Sequence, residues 1–223
     1  MTASHTPTTP AAIDTHGMVV VHRGLRRESR LLAELIAAVE PGDTARAKVL
    51  AEHFALYRTG LDGHHHGEDE LLWPPLLSRV DLEAEIVLRM EAQHERVAGS
   101  LAAAEAGVAA WAKAAGVAER DALVAALVEH RAALIEHLDD EEAELLPLAA
   151  RLLTAEEWQK LGDHFVESTP DKPTLLMLLG VVLEEADADE RATIFAGLPL
   201  QGRIAWRLLG RPMYARMIRR VRG

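Results

Sequence analysis

Residues 64–74 read HHHGEDELLWP, and residues 137–147 read HLDDEEAELLP. Each stretch begins with a histidine, carries a glutamate four residues later and ends on a proline ten residues after that histidine. On an α-helix, residues i and i+4 project from the same face. Each stretch can therefore hold an imidazole nitrogen and a carboxylate over one point in space.

A single histidine precedes each stretch at nearly the same distance. His22 lies 42 residues before His64, and His94 lies 43 residues before His137. This repeat predicts two helical hairpins that, packed face to face, bring four histidines and two glutamates together. Such a set is large enough to bind two metal ions. The predicted ligands are His22, His64, Glu68, His94, His137 and Glu141.

Solvated helix faces are the competing interpretation of these histidines and glutamates. One His-Glu pair on a helix would favour that interpretation, because i,i+4 pairs are common on exposed faces. Here two pairs coincide with matching prolines and matching upstream histidines. The repeat therefore favours a metal site.

The composition favours helices and restricts the ligand chemistry. Among the 223 residues, 49% are apolar but only 4% are aromatic, so the core consists mostly of Ala, Leu and Val. That composition is typical of packed helices rather than sheets. The chain has no cysteine, which excludes disulfides, thiolate ligands and catalytic thiols. Any metal must be bound through nitrogen and oxygen.

Apolar residues at spacings of three and four predict an all-α fold with four long helices. Short connections between them imply an up-down-up-down four-helix bundle. We expect Pro74 and Pro75 to bend or close the second helix, Asp81 to cap the third and Gly116 to end it. The predicted ranges are about 13–39, 44–77, 82–115 and 119–152.

Three regions are predicted: a disordered lead-in at 1–11, the bundle at 12–152 and a C-terminal helical extension at 153–223. A capping box starting at Thr154 opens the extension, and its later helices are expected to be separated at 187–189, at Pro199 and at 210–212. The lead-in lacks the features of a secretory signal. The longest apolar run, 175–183, is far shorter than the roughly 20 residues of a membrane span. A cytoplasmic protein is the expectation.

The C-terminal segment is basic, whereas the rest of the chain is acidic. Residues 203–223 contain seven arginines and no acid, so residues 1–202 carry a formal charge of −18 within the total of −11. Trp206, Leu209, Met213 and Met217 are expected to form an apolar stripe with Arg220. Anionic lipid or nucleic acid is one possible partner. Docking on the protein's own acidic body, within a chain or across a homodimer, is the favoured interpretation, and no clear nucleic-acid or membrane motif is present.

The ligand pattern resembles the hemerythrin-like, or HHE cation-binding, family over about residues 12–152. The residues that carry the resemblance are His22, the 64–74 stretch, His94 and the 137–147 stretch. The resemblance implies a four-helix bundle with two iron ions, bridged by two carboxylates and an oxo or hydroxo group. Manganese and zinc are possible substitutes. It also implies a small-molecule ligand such as O2, peroxide or nitric oxide.

The chain departs from the oxygen-carrying members of that family at two positions. Those members place a second histidine four residues along the third helix, where this chain has Ala98, and an aspartate five residues after the last histidine, where the carboxylate here is Glu141 at +4. One imidazole is therefore expected to be missing. This difference favours redox turnover of peroxide or nitric oxide, or sensing, over reversible O2 carriage.

Several further residues are candidates for additional ligands or for support of the ligands. Tyr57 and His130 each lie seven residues before a predicted ligand, about two helical turns away. At most one of His65 and His66 is expected near the metals, because they point about 100° and 200° away from His64. The carboxylates beside the site, Asp69 and Glu142 among them, can orient ligand imidazoles. The candidates are Tyr57, His53, His65, His130 and Arg26.

Three functional classes follow from these patterns. The first is a di-iron protein with a redox or stress-response role, whether or not it is an enzyme. The second is a non-catalytic iron or oxygen sensor that signals through its C-terminal helices. The third is a helical adaptor that binds a membrane or nucleic acid through its basic tail.

Overall fold

A computed structural model describes residues 13–80 and 83–223 of the chain. The described residues form α-helices and two π-helical segments, with no strand among them. The predicted lead-in and the predicted cap at Asp81 lie outside the described residues. No helix in the described ranges has both the length and the hydropathy needed to cross a membrane.

Four long helices close into the predicted bundle. Each of them packs against the next, and the first also packs against the fourth. These helices are α1 (His16–Ala37), α2 (Thr44–Leu71), α4 (Ala84–Trp111) and α5 (Val117–Asp140).

The helix ends differ from the sequence-based ranges where local chemistry intervenes. The second helix ends at Leu71, and Pro74 and Pro75 occupy the first turn of a separate short helix, α3 (Trp73–Leu77), where a missing N–H is tolerated. The third helix was expected to end near Gly116, but Ala115 adopts the left-handed conformation there, with φ of 47°. Gly116 instead has extended backbone and precedes α5.

The predicted fourth helix is not one regular α-helix. After α5, residues Glu141–Leu145 form a π-helical turn that leads into α6 (Leu146–Leu152). The N–H of Leu146 donates to the carbonyl of Glu141, and Pro147 follows at once. Since proline cannot donate the next helical hydrogen bond, the wider π turn accommodates it within a continuous helix.

The C-terminal extension packs against the first two bundle helices. Its helices are α7 (Ala155–Ser168), α8 (Lys172–Glu185), α9 (Ala188–Gly197), α10 (Leu200–Ala205) and α11 (Arg211–Arg222), with a π turn at Trp206–Gly210. The predicted capping box is present, since Thr154 and Glu157 bond each other's backbone N–H. The expected break at 210–212 is wrong, because the π turn carries the helix past Pro212.

The basic tail packs against other helices of the same chain. Helix α11 packs on α2 and α8, and Val221 is buried in the core of the bundle. The predicted apolar stripe is shifted, because Leu209 and Met213 are exposed. Each π turn inserts an extra residue, so a stripe extrapolated at regular α-helical spacing loses register. The inward face consists of Trp206, Gly210, Tyr214, Met217 and Val221.

Candidate metal centre

The six predicted ligands lie together in the bundle interior, between two apolar clusters. For example, Leu61 of one cluster lies on α2 before the ligands, and Leu72 of the other cluster follows directly after the end of α2. All six side chains are buried, and Glu68 and Glu141 are fully so. The helices therefore place a layer of histidines and glutamates across an otherwise apolar core.

The ligand atoms fall into two groups that share one carboxylate. In each group, one nitrogen or oxygen from every member lies within 4.8 Å of the others. Glu68 belongs to both groups, so it stands where a bridging ligand would stand. The first group is His22, His64, Glu68 and Glu141, and the second is His65, Glu68, His94 and His137.

His65 is a fifth imidazole at this cluster, one more than the four that the sequence predicted. It is 8% exposed, and its ring stacks on that of His94 with centroids 4.1 Å apart. It follows His64 directly on α2 and precedes Glu68 by three residues, so both histidines flank the same carboxylate. That i,i+3 spacing is the sequence signal that identifies His65.

Distances between the converging atoms match those of neighbouring ligands on one metal ion. Two donors at right angles, with bonds of about 2.1 Å, lie about 3 Å apart. The Nε2 atoms of His94 and His137 are 3.1 Å apart, and Nε2 of His22 is 3.2 Å from Oε2 of Glu141. Oε2 of Glu141 also lies 3.7 Å from Nε2 of His137. Glu141 thus reaches a histidine of each group.

Many of these polar atoms have no hydrogen-bond partner although they are buried. They include Nε2 of His22, His64 and His65 and both carboxylate oxygens of Glu68 and Glu141. Burying such groups without partners is costly. Metal ions at the centre of the cluster would satisfy these atoms, so the residues present fit the metal that the pattern implies.

Electrostatics within the cluster fit the same interpretation. Burial raises the pKa of Glu68, and the negative charge of Glu141 raises it further, to about 8. Burial lowers the pKa of His64, and the charge of His22 adds to that effect. Two carboxylates are thus held close together among several imidazoles. Bound cations would reduce the repulsion between the carboxylates.

Carboxylates behind two of the histidines hold their rings in place. Nδ1 of His94 lies 2.8 Å from Oδ1 of Asp69, which also accepts the indole N–H of Trp73. Nδ1 of His22 lies 2.9 Å from Oε1 of Glu142. In both rings Nδ1–H is the donor, and this leaves Nε2 free to face the cluster.

Arg26 acts on the cluster only through Glu142. Its guanidinium donates to Oε1 of Glu142 at 2.5 Å and to Oδ1 of Asp139 at 2.7 Å. Burial raises the pKa of Glu142, but its hydrogen bonds with His22 and Arg26 outweigh that effect and lower it below the usual value. Arg26 therefore fixes the carboxylate that orients His22.

The other candidates do not join the two ligand groups. Tyr57 is buried, and its hydroxyl lies 2.7 Å from Nε2 of His130. His53 lies 2.7 Å from the buried carboxylate of Glu28. These two pairs occupy buried polar positions of the bundle outside the two ligand groups.

A third group of histidines and glutamate lies outside the core. His66 and Glu70 on α2 are exposed, and His164 on α7 is half-buried beside them. The histidine rings have centroids 5.4 Å apart. His65 belongs to a buried ligand group, whereas His66 belongs to this exposed group.

The hemerythrin HHE cation binding domain matches residues 14–149, well over half of the chain. The chain belongs to this family. No curated protein and no solved structure gives a significant match. The matched range of the HHE domain contains α1 to α5 and therefore every member of the two ligand groups. Membership in this family, together with the buried His and Glu groups, identifies a metal-binding helical protein.

Proposed function

We propose that this HHE protein is a non-haem di-iron protein that reacts with O2, peroxide or nitric oxide in a redox or stress-response role. The observation that carries the proposal is the position of Glu68 in both groups of buried donors. A carboxylate shared by two groups favours two ions over one. Five imidazoles and two carboxylates are nitrogen and oxygen donors of the kind that suits iron, with manganese and zinc as substitutes.

The residues around the ions would set what the site can do. Bound iron would supply one-electron redox chemistry toward a small ligand. Asp69 and Glu142 accept Nδ1–H from His94 and His22, which fixes the tautomer that presents Nε2 to a metal and raises the basicity of the rings. Burial of the whole cluster in the bundle limits the reaction partner to a molecule of a few atoms.

Metal content and spectroscopy test the proposal directly. We expect about two irons per chain and an absorption band near the ultraviolet edge in the oxidised protein. Glu68→Ala should lower the iron content to one ion or fewer, because both groups lose a ligand. Glu95→Ala is the matched control, since Glu95 is an exposed residue next to His94. One iron per chain in the wild type, or equal contents in the two variants, would contradict a shared carboxylate.

Reactivity then separates an enzyme from a sensor. Stopped-flow mixing of the reduced iron-loaded protein with O2, peroxide or nitric oxide should change its spectrum. The His64→Ala, His137→Ala double variant should show no such change. Repeated turnover of peroxide or nitric oxide would assign an enzyme, whereas a single stoichiometric reaction would favour a sensor.

One structural feature favours a sensor as the second candidate function. Helix α7 of the extension packs on α2, and α8 packs on α1. These two bundle helices supply His22, His64, His65 and Glu68. Iron binding should therefore slow amide hydrogen exchange in residues 155–168 as well as in α2. Unchanged exchange there, beside clear protection of α2, would exclude signalling through this contact.

A further inference from the structure

A cavity in the C-terminal extension lies outside the metal cluster and outside the matched part of the chain. It has a volume of about 880 Å³ and is lined by residues of α8, α9, α10, the π turn at Trp206–Gly210 and α11. Its wall combines apolar side chains with four arginines. We propose that this cavity binds an amphipathic anion, a molecule with one acidic head group on an apolar chain, of the fatty-acid class.

The arginines give the cavity an excess of positive charge. Arg191, Arg203, Arg207 and Arg211 line it, together with one acid, Glu184. Glu184 already accepts hydrogen bonds from the hydroxyl of Tyr214 and from the guanidinium of Arg222. These donors lower the pKa of Glu184 against its burial, so it stays ionised and compensated by Arg222.

Two of the arginines have no partner of their own. Arg207 and Arg211 are four residues apart and make no side-chain hydrogen bond or ion pair with residues 13–80 or 83–223. By contrast, Arg203 donates to the carbonyl of Leu198 at 2.9 Å, and Arg191 donates to the carbonyl of Leu183 at 2.9 Å. Arg207 and Arg211 are therefore the pair available to a carboxylate, which guanidinium groups bind with paired hydrogen bonds.

Two glycines let the aromatic rings of the apolar wall pack against the backbone. A Cβ at Gly180 would lie 2.3 Å from the ring of Tyr214, and one at Gly210 would lie 2.4 Å from the ring of Trp206. Each aromatic ring therefore rests directly on backbone. Phe195 and Ile218 complete a surface on which an alkyl chain can pack.

The outer faces of the same helices carry exposed apolar side chains. Leu200, Ile204, Leu208 and Leu209 are between 49% and 70% exposed. Apolar residues concentrated on one short segment mark an interaction surface more often than scattered ones do. Their position beside unpaired arginines fits a ligand that is both apolar and negatively charged.

Titration calorimetry of the iron-loaded protein with laurate, below its micelle concentration, tests the proposal. We expect saturable binding of one laurate per chain, at least about tenfold tighter than that of dodecanol, because the alcohol cannot pair with guanidinium. The Arg207→Gln, Arg211→Gln variant should lose at least about tenfold in affinity. Arg216→Gln, Arg219→Gln is the matched control, since both residues are exposed on α11 and do not line the cavity.

A second variant tests the cavity itself. Ala215 lines the cavity, and Ala215→Trp should block laurate binding while the iron content and melting temperature stay at wild-type values. Equal losses in both arginine pairs, or equal binding of dodecanol, would overturn the proposal. It would also be overturned by binding to anionic vesicles without binding of monomeric laurate, or by a dimer that dissociates in the Arg207→Gln, Arg211→Gln variant. In those cases a bilayer or a second copy of the chain covers this surface.

Discussion

Glu142 lies behind His22 and decides how that ring faces the cluster. Its Oε1 is 2.9 Å from Nδ1 of His22 and also accepts from Arg26. Glu142→Gln replaces a charged acceptor with a neutral amide, so the imidazole should lose orientation and basicity. We expect iron affinity to fall by about 10- to 100-fold, which is typical when such a supporting residue is lost. Competition with a chelator of known affinity measures this change.

Glu144→Gln is the control for this substitution. Glu144 is a neighbouring acid whose carboxylate lies 2.7 Å from Arg89 on the surface. Its loss should leave iron affinity within about twofold of the wild type, as expected for an exposed ion pair. Equal effects of the two substitutions would show that general charge, rather than the contact with His22, controls affinity.

Tyr57 and His130 form a buried pair with defined donors. The hydroxyl of Ser100 donates to the carbonyl of Val97 and lies 2.9 Å from Nδ1 of His130. Since the single hydroxyl proton of Ser100 is used, Nδ1–H of His130 is the donor to Ser100. Nε2 then accepts the hydroxyl proton of Tyr57. The imidazole is neutral in this arrangement.

This pair predicts a pH dependence of stability. Burial lowers the pKa of His130 from 6.5 to about 4. Between those values the unfolded chain binds a proton that the folded chain does not, so stability is full above pH 6.5 and falls as the pH drops toward 4. The loss amounts to at most about 3 kcal/mol. Urea unfolding at several pH values measures it.

The His130→Gln variant isolates this contribution from that of the other histidines. Glutamine does not titrate, so the free energy of unfolding should depend less steeply on pH between 6.5 and 4 than in the wild type. The other buried histidines are unchanged in both proteins and cancel in the comparison. Parallel curves would exclude His130 as a source of acid sensitivity.

At the residue scale, the sequence was informative wherever a ligand depends on spacing along one helix. His64 with Glu68, and His137 with Glu141, were predicted from their i,i+4 relation and do lie within the cluster. Asp69 and Glu142 were named only among several acidic neighbours. Which of them contacts a histidine depends on how α2 crosses α4 and how α1 crosses the π turn after α5. Spacing along one helix does not contain that information.

Helix α2 carries glycines that look like weak points in the sequence but form a packing face. A Cβ at Gly60 would lie 2.8 Å from Cδ2 of Leu178, while Gly63 and Gly67 lie against Phe165 and His164. Gly60→Leu should therefore push α8 away from α2. We expect it to lower the free energy of unfolding by roughly 1 to 3 kcal/mol, the usual cost of overpacking.

Gly99→Leu is the matched control on a helix with free space. Apart from its chain neighbours and the nearby backbone of its own helix, no atom lies within 4 Å of the Cβ position at Gly99. Leucine there should stabilise α4 by about 0.5 to 1 kcal/mol, because glycine is a poor helix former. Thermal denaturation of both variants checks the two signs. Destabilisation by both substitutions to the same extent would show that contact with α8 is not the cause.

Among the secondary-structure elements, the two π turns were not predicted from the sequence. Proline signals at 74–75, 147 and 212 look alike, yet the first begins a new helix and the other two follow π turns. The outcome depends on whether tertiary packing holds the helix axis straight through the proline. At 141–145 the axis is held by packing of the turn on α4. The helix propensity of the local sequence does not predict this contact with α4.

At the scale of the whole molecule, metal binding at the cluster should stabilise the folded state. Buried nitrogen and oxygen atoms at the cluster lack partners, so the metal-free bundle carries a desolvation cost that bound iron removes. Iron at a thousand times its dissociation constant adds about 4 kcal/mol. For a chain of this size each kcal/mol shifts the melting temperature by about 2 to 4 °C. Removal of iron should therefore lower the melting temperature by on the order of 10 °C.

Scanning calorimetry of iron-loaded and chelator-stripped protein measures this difference, with iron content determined for each sample. The control is the His22→Ala, His137→Ala variant, which loses one imidazole from each ligand group. Its melting temperature should not respond to the chelator, because it has no complete group to fill. Equal melting temperatures for loaded and stripped wild type would mean that the cluster is stable without metal. Its unpartnered atoms would then have to be satisfied by water, and the proposed iron centre would lose its thermodynamic basis.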